Sequence, residues 1–163
     1  NPFDKYLLWE WHRLLKKGTV DDEIDNIGKW KKYSNRLSKT DLKLCEPHLV
    51  ENSMFNLLED WKESSKDIFA IADFHQKFEH IHPFQDGNGR IGRFVILRQC
   101  LENNIDLIAI DDVYNNEYRK SLYEAQTTGN LKPLVDVFEK CQNRLDEKLS
   151  EFKETIEQVS NED

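Results

Sequence analysis

An all-α fold is predicted by two features of this 163-residue chain. Apolar residues recur at intervals of three and four in six stretches, the spacing that lines one face of a helix. Strand-type alternation is nearly absent, and there is no internal repeat or low-complexity tract. The first stretch aligns Leu7, Leu8, Trp11, Leu14 and Leu15, with Gly18 as its stop. The second opens at Pro47, whose fixed φ suits a first helical position, and aligns Val50, Met54, Leu57, Leu58 and Trp61. The third follows Ser64-Ser65 with Ile68, Ile71, Ala72, His75 and Phe78 on one stripe. It is expected to end at His82, because a residue before proline avoids the α region. The fourth begins near Gly89 and carries Ile91, Phe94, Val95 and Leu101; the fifth, from about Asn115, aligns Tyr118, Leu122 and Ala125. In the last, Leu134, Phe138, Cys141, Leu145, Leu149, Phe152, Ile156 and Val159 form a near-heptad seam. Either its first half packs and its end projects, or the seam is an interface for a partner, a second copy included.

The longest non-helical stretch, Tyr33 to Glu46, is rich in Ser, Asn, Thr and Lys and reads as a long loop or short hairpin, a type of segment that often carries function. Between Lys29 and Lys43 lie six basic residues and one acid, Asp41, with Trp30 and Tyr33 interleaved. A solvated loop is the default reading of such a run. The net charge of −8 argues against a general nucleic-acid binder. No apolar run approaches the roughly 20 residues of a membrane span. The three cysteines, Cys45, Cys100 and Cys141, form no C-x-x-C pair, so neither a disulfide framework nor a zinc knuckle is indicated and a reducing cytoplasm is the expected compartment. No signal peptide is visible, but the chain opens on Asn1-Pro2 without a methionine, so that absence carries little weight.

Chemistry concentrates in residues 80–93. Pro83 puts His82 at a helix terminus, on the lip of a loop, and Asp86 can face the same space. Gly87-Asn88-Gly89 lets the backbone turn with several N–H groups inward, and the next helix adds its positive N-terminal end, which makes an anion cradle. Arg90 and Arg93, three apart on that helix, can grip a polyphosphate as paired guanidinium forks. Asp86 is a hard oxygen ligand for magnesium, and His82 has an unperturbed pKa near neutrality, as a general base requires. Phe84 is the loop's large apolar residue and is expected to anchor it in the core. Together these residues suit nucleotide chemistry at a phosphate.

Two competing readings are weaker. Gly87-Asn88-Gly89-Arg90-Ile91-Gly92 fits G-x-G-x-x-G, with Asp106 about where a ribose-binding acid would fall, but the preceding Lys77 to Pro83 segment is charged and proline-broken where that fingerprint needs a buried strand. Gly92 is then a site of close packing or ligand approach. A zinc site from His75, His80, His82 and Asp86 suffers from a histidine spacing that suits a strand and from the lack of a closing ligand. His75 lies on the apolar stripe, His80 reads as a bystander, and His12 and His48 carry no signal.

The segment His82 to Arg93 matches the motif H-P-F-x-D-G-N-G-R-x-x-R at every specified position, and on it the chain resembles the Fic family. The preceding helix is similar to a Fic helix. Gly28-Lys29-Trp30-Lys31 resembles the family's G-x-Y-R segment with Trp and Lys substituted, and Tyr118 and Ala125 fall where the family has a Y-x-x-A-L helix. The resemblance implies a Fic-type bundle as the core (1–140), with an extended C-terminal helix (141–163) as a regulatory or partner segment. It also implies transfer of AMP from ATP, with magnesium, to a Ser, Thr or Tyr hydroxyl of a target protein. In that scheme His82 is the base, Asp86 holds magnesium, and Gly87, Asn88, Gly89, Arg90 and Arg93, with Tyr118, bind the nucleotide. Tyr33 to Glu46 becomes the flap that aligns the target by main-chain pairing. Doc-like relatives that phosphorylate lack the full G-N-G-R reading. A kinase of that kind and a catalytically silent nucleotide-binding or interaction module stand as alternatives. Restraint is expected in the family from a helix S/T-x-x-x-E-G/N, whose glutamate pairs with the second arginine, here Arg93. Ser150 and Glu154 have that spacing, but Thr155 replaces Gly or Asn; an inhibitory partner or another segment is the alternative.

Overall fold

A computed structural model describes residues 2–23, 26–37 and 40–160; within these, nothing is described of the side chains at 23, 155 and 157–160. The flap positions 38 and 39, the seam side chain of Val159, the Thr155 side chain and residues 161–163 of the C-terminal segment therefore lie outside the described residues. The described residues are helical and irregular, without strands: α1 (Lys5–Lys16), α2 (Val20–Glu23), α3 (Pro47–Glu63), α4 (Ile68–Ile81), α5 (Asn88–Glu102), a 3-10 turn (Asp112–Tyr114), α6 (Asn115–Thr128) and α7 (Lys132–Ser160). The one-turn α2, which has no apolar period to announce it, was not anticipated.

Local chemistry explains the boundaries. Asp4 caps α1 by accepting from the Leu7 N–H at 3.0 Å, and Asp67 caps α4 by accepting from the Ala70 N–H at 2.8 Å. Pro47 occupies the first turn of α3, and Gly129 closes α6 in the left-handed region. The sequence expectation of a start near Gly89 falls one residue late for α5, because Gly87 at φ 85° serves as its N-cap and Asn88 is already helical.

α4 is the centre of the molecule and packs against α3, α5, α6 and α7. Its Ile71, Ala72, Phe74 and Phe78 are buried with Met54 and Trp61 of α3, Val95 and Ile96 of α5, and Leu134 and Phe138 of α7. Burying side chains of this size stabilises by about 1.5–3 kcal/mol each. The apolar stripes of α1 and α5 are only partly used. Leu14 and Leu101, expected to face the core, are instead 67% and 62% exposed and line an open groove with Trp11 and Phe94. The first half of α7 packs, through Leu134, Val135, Phe138 and Cys141, while Leu149, Phe152 and Ile156 are exposed farther along. Tyr33 to Glu46 is irregular over its described residues, so of the loop and hairpin readings the loop holds.

Candidate active site

The segment between α4 and α5 turns sharply at its first residue. His82 closes α4 in the left-handed region (φ 50°, ψ 60°), while its N–H still donates to the Phe78 carbonyl at 2.9 Å. This is an unfavourable conformation for a residue with a β-carbon, of the kind that persists where surrounding contacts impose it. The His82 Nδ1 lies 3.2 Å from the Glu79 carbonyl oxygen. A carbonyl can only accept, so Nδ1 carries the proton and Nε2 keeps the lone pair. Burial lowers the His82 pKa below its usual 6.5, and the nearby Lys31 ammonium acts in the same direction. The ring is therefore neutral at physiological pH, as a base must be.

Phe84 is fully buried and stacks on the His12 ring at 4.1 Å, with Trp30 at 5.1 Å. Asn88 clamps the same residue: its Oδ1 accepts from the Phe84 N–H and its Nδ2 donates to the Phe84 carbonyl, both at 2.8 Å. Expected to bind phosphate, the Asn88 side chain is buried and committed to bracing the loop, which leaves its main chain as the part that can face a ligand.

Asp86 sits at the rim with its side chain 60% exposed. Its Oδ2 accepts from Lys16 Nζ at 2.5 Å and lies 3.5 Å from Arg90 Nη2. The Lys16 hydrogen bond, first among several causes, holds the Asp86 carboxyl below its ordinary pKa. Lys16 also pairs with Asp21 at 2.5 Å, which ties α2 to the loop. His12 Nδ1 accepts from the Gly28 N–H at 3.0 Å, so His12 Nε2–H is free to donate to the Asp86 carbonyl at 2.9 Å. Helix α1 is thus the floor of the loop, through two residues that the sequence reading passed over. Their signal was a histidine and a lysine four apart on the face of α1 that also carries Leu8.

The two middle glycines differ in what the fold demands of them. Gly87 has φ 85°, and a β-carbon there would meet Leu15 at 3.3 Å. Gly89 is helical, and a β-carbon on it would meet nothing within 4 Å. The open space over Gly89 lies on the first turn of α5, flanked in sequence by Arg90 and followed by Arg93, both exposed. Since glycine in a helix costs about 0.5–1 kcal/mol relative to alanine, Gly89→Ala is expected to raise thermal stability slightly while weakening anything that must touch this backbone. A thermal melt paired with a ligand titration checks both halves.

Other expected residues are placed elsewhere. Tyr118, expected to contact the nucleotide, is buried, with its hydroxyl committed to His75 Nε2 at 2.8 Å and with Arg93 close enough to act on it. Glu154 is exposed on the distal part of α7 and has no hydrogen bond or ion pair among the described residues, so it is not brought together with Arg93. The helix is held to the body by Arg144 and Lys148, both on Asp111, and runs on beyond those ties. His80, expected to be a bystander, lies with its Nε2 2.9 Å from the Lys43 carbonyl, while its own carbonyl accepts from the Cys45 N–H at 3.3 Å, so it fastens the end of the flap. No group of three or more His, Cys, Asp or Glu side chains among the described residues is arranged to hold a metal, which disfavours the zinc reading.

The start of the flap is bound to the loop. Lys31 N–H donates to the Pro83 carbonyl at 2.8 Å, Asn35 Nδ2 to the Phe84 carbonyl at 3.1 Å, and the Gln85 amide brackets the Tyr33 main chain through Oε1 and Nε2. Lys31 is buried, with Nζ on Asn35 Oδ1 at 2.8 Å and on the Ile81 carbonyl at 3.1 Å. The lysine that departs from the G-x-Y-R pattern thus joins the end of α4 to the flap.

The profile of the Fic/DOC family matches residues 2–100. Among curated proteins, a probable protein adenylyltransferase of Aquifex aeolicus is 30% identical over 118 residues, which cover 71% of this chain and 34% of the relative. The chain therefore spans about a third of that relative's length. Among solved structures, a Fic domain containing signaling protein from Bacteroides thetaiotaomicron superposes with a TM-score of 0.74 at 20% identity, covering 88% of this chain and 60% of that one. The BepC protein of Bartonella tribocorum, solved with bound AMPPNP, superposes with a TM-score of 0.66 at 18% identity, covering 85% and 74%.

Proposed function

The chain belongs to the Fic/DOC family, and from that premise we propose that it is a protein adenylyltransferase, moving AMP from ATP to a Ser, Thr or Tyr hydroxyl of a target protein. The observation that carries this reading is the open space over Gly89, on a helix N-terminus, beside two exposed arginines and an exposed carboxylate. Fixed backbone donors and guanidinium groups in that arrangement match a polyphosphate. The adenylyltransferase name of the Aquifex relative and the AMPPNP in BepC support the nucleotide and the group transferred.

Each residue then has a task. The main chain at Gly87 to Gly89 and the side chains of Arg90 and Arg93 bind the phosphates and orient the α-phosphorus. His82 Nε2 takes the proton of the target hydroxyl; the hydroxyl oxygen bonds to the α-phosphorus, and the bond to the β-phosphate breaks with release of pyrophosphate. Asp86, a hard oxygen donor at the rim, would hold magnesium, which supplies charge neutralisation to the phosphates when bound. Lys16 keeps that carboxylate oriented from below. The flap beyond Asn35, basic and fastened at both ends, docks the target. All three cysteines are unpaired, which suits a reducing compartment such as the cytoplasm.

Titration with Mg-ATP tests the nucleotide half of this reading. Saturable binding is expected, weakened at least about tenfold by Arg93→Ala, since a charge-assisted contact contributes about 1.5–3 kcal/mol, and weakened also by Gly89→Ala. Affinity unchanged in both variants would remove this loop as the nucleotide site.

A further inference from the structure

Behind the loop, on the side away from solvent, lies a carboxyl group that the scheme above does not use. Glu79, on the last turn of α4, is buried, and its Oε1 has no hydrogen-bond partner. A buried carboxyl oxygen left unsatisfied is uncommon and calls for a reason. Its Oε2 lies 3.9 Å from His82 Nδ1, the nitrogen that already donates to the Glu79 carbonyl. Gly92 of α5 makes the room: a β-carbon there would sit 2.5 Å from Glu79 Oε1 and 3.2 Å from the His75 ring. Gly92 is thus the notch into which this carboxyl fits.

We propose that Glu79 is a positioning residue of the transfer reaction, holding the His82 ring with Nδ1 inward and stabilising the positive charge that the ring gains when Nε2 accepts the target's proton. The proposal rests on the adenylyltransferase reading. In the resting state His82 is neutral and the carboxyl has no cation in hydrogen-bond contact. When the hydroxyl proton moves to Nε2, an imidazolium forms beside it. The interaction is therefore stronger once charge develops than before, which is the condition for accelerating a step rather than only binding a ground state.

The surroundings set when the group is charged. Burial raises the Glu79 carboxyl to about 7, and Arg93 of α5 pulls against that shift. From α4 itself His75 and His82 face it; from α6 comes Tyr118, held on His75; the Lys31 ammonium acts on His82. His75 stays neutral, with a pKa near 3, so Arg93 and the transient His82 cation are the charges that count. A carboxylate that ionises near neutrality supports His82 most at mildly alkaline pH.

The test compares wild type with Glu79→Gln and Glu79→Met, which keep the bulk and remove the charge. The first readout needs no substrate: the His82 ring signals are followed by NMR in the protein alone, and in the wild type they are expected to shift through a step near pH 7 as the adjacent carboxyl ionises, a step that both variants lack. The second is the pH profile of transfer. The ratio of wild-type to variant kcat is expected to climb as pH rises through about 7 and to reach about tenfold or more, with KM little changed. A merely structural role would lower both variants by a constant factor across pH. A wild-type His82 ring whose signals show no step near pH 7 beyond those of the variants overturns the proposal, even if transfer is intact. Absence of any transfer by the wild type would instead count against the adenylyltransferase reading, and the NMR shift would still decide whether Glu79 acts on His82.

Discussion

Replacing His82 with alanine is expected to lower the rate of AMP transfer by about 10²- to 10⁴-fold, the usual contribution of a general base, while Mg-ATP continues to bind. The two effects separate because the contacts assigned to the nucleotide lie on Gly87 to Arg93, whereas His82 stands at the other end of the loop. The loop itself does not depend on the ring. Phe84 is anchored by His12, Trp30 and Asn88, and Asp86 by Lys16. Alanine also has a β-carbon, so the left-handed conformation at position 82 is neither relieved nor worsened, and the melting temperature is expected to stay close to that of the wild type. Initial rates, a nucleotide titration and a melt on the same preparation check all three statements. A loss of ATP affinity that matches the loss of rate would move His82 from the chemistry to the binding surface.

Acid is expected to unfold the protein through His75. This ring is buried between the Tyr118 hydroxyl at 2.8 Å and the Phe138 ring, with Arg93 nearby, and burial moves its pKa from 6.5 to about 3. The folded-state value is depressed, so the stabilisation is complete above pH 6.5, where the ring is neutral in both states. As pH falls, the unfolded chain binds a proton that the folded chain refuses, and stability drains until pH reaches about 3. At 1.36 kcal/mol per unit this approaches about 5 kcal/mol, of which about 4 kcal/mol is lost by pH 3, a large share of the 5–15 kcal/mol that holds a domain together. Glu79 has the opposite sign. Its raised pKa, about 7 against 4.5, favours the folded state in acid and costs stability as pH rises between those values. The two slopes nearly cancel between about pH 6.5 and 4.5, so the steep loss is expected below pH 4.5. Urea unfolding of wild type and His75→Gln at pH 7 and in acid isolates the histidine's share. The stability difference between them is expected to shrink or reverse by about 4 kcal/mol on going to pH 3, whereas a difference that ignores pH would mean that the fold does not hold His75 neutral.

The helices were legible in the sequence because each buries one stripe of apolar residues, and the period of that stripe is a local property. Gly18, Pro47 and Pro83 marked ends for equally local reasons. What periodicity could not report is how much of a stripe finds a partner: Leu14 and Leu101 obey the helical spacing of α1 and α5 yet face an open groove. The loop at 82–93 was legible because its chemistry is contiguous in the chain. Its supports were not, since they arrive from far along the sequence: His12 and Lys16 from α1, Lys31 from the segment before the flap and Asn35 from the flap itself. A lone histidine or lysine on a helix has no local signature of what it will touch. Asn88 and Tyr118 show the converse limit, for residue type and position suggested ligand contacts where packing instead commits both side chains to internal hydrogen bonds. Glu79 was invisible for a similar reason, because only the juxtaposition of α4 and α5 turns an ordinary glutamate into a buried one.

The most direct test of the account is to incubate the protein with a cell lysate, magnesium and ATP labelled at either the α- or the γ-phosphate, and to identify labelled proteins by mass spectrometry. Transfer of the α-label, as AMP on Ser, Thr or Tyr, and its disappearance with His82→Ala, is the predicted result. Transfer of the γ-label alone, or α-labelling that survives His82→Ala undiminished, would contradict it.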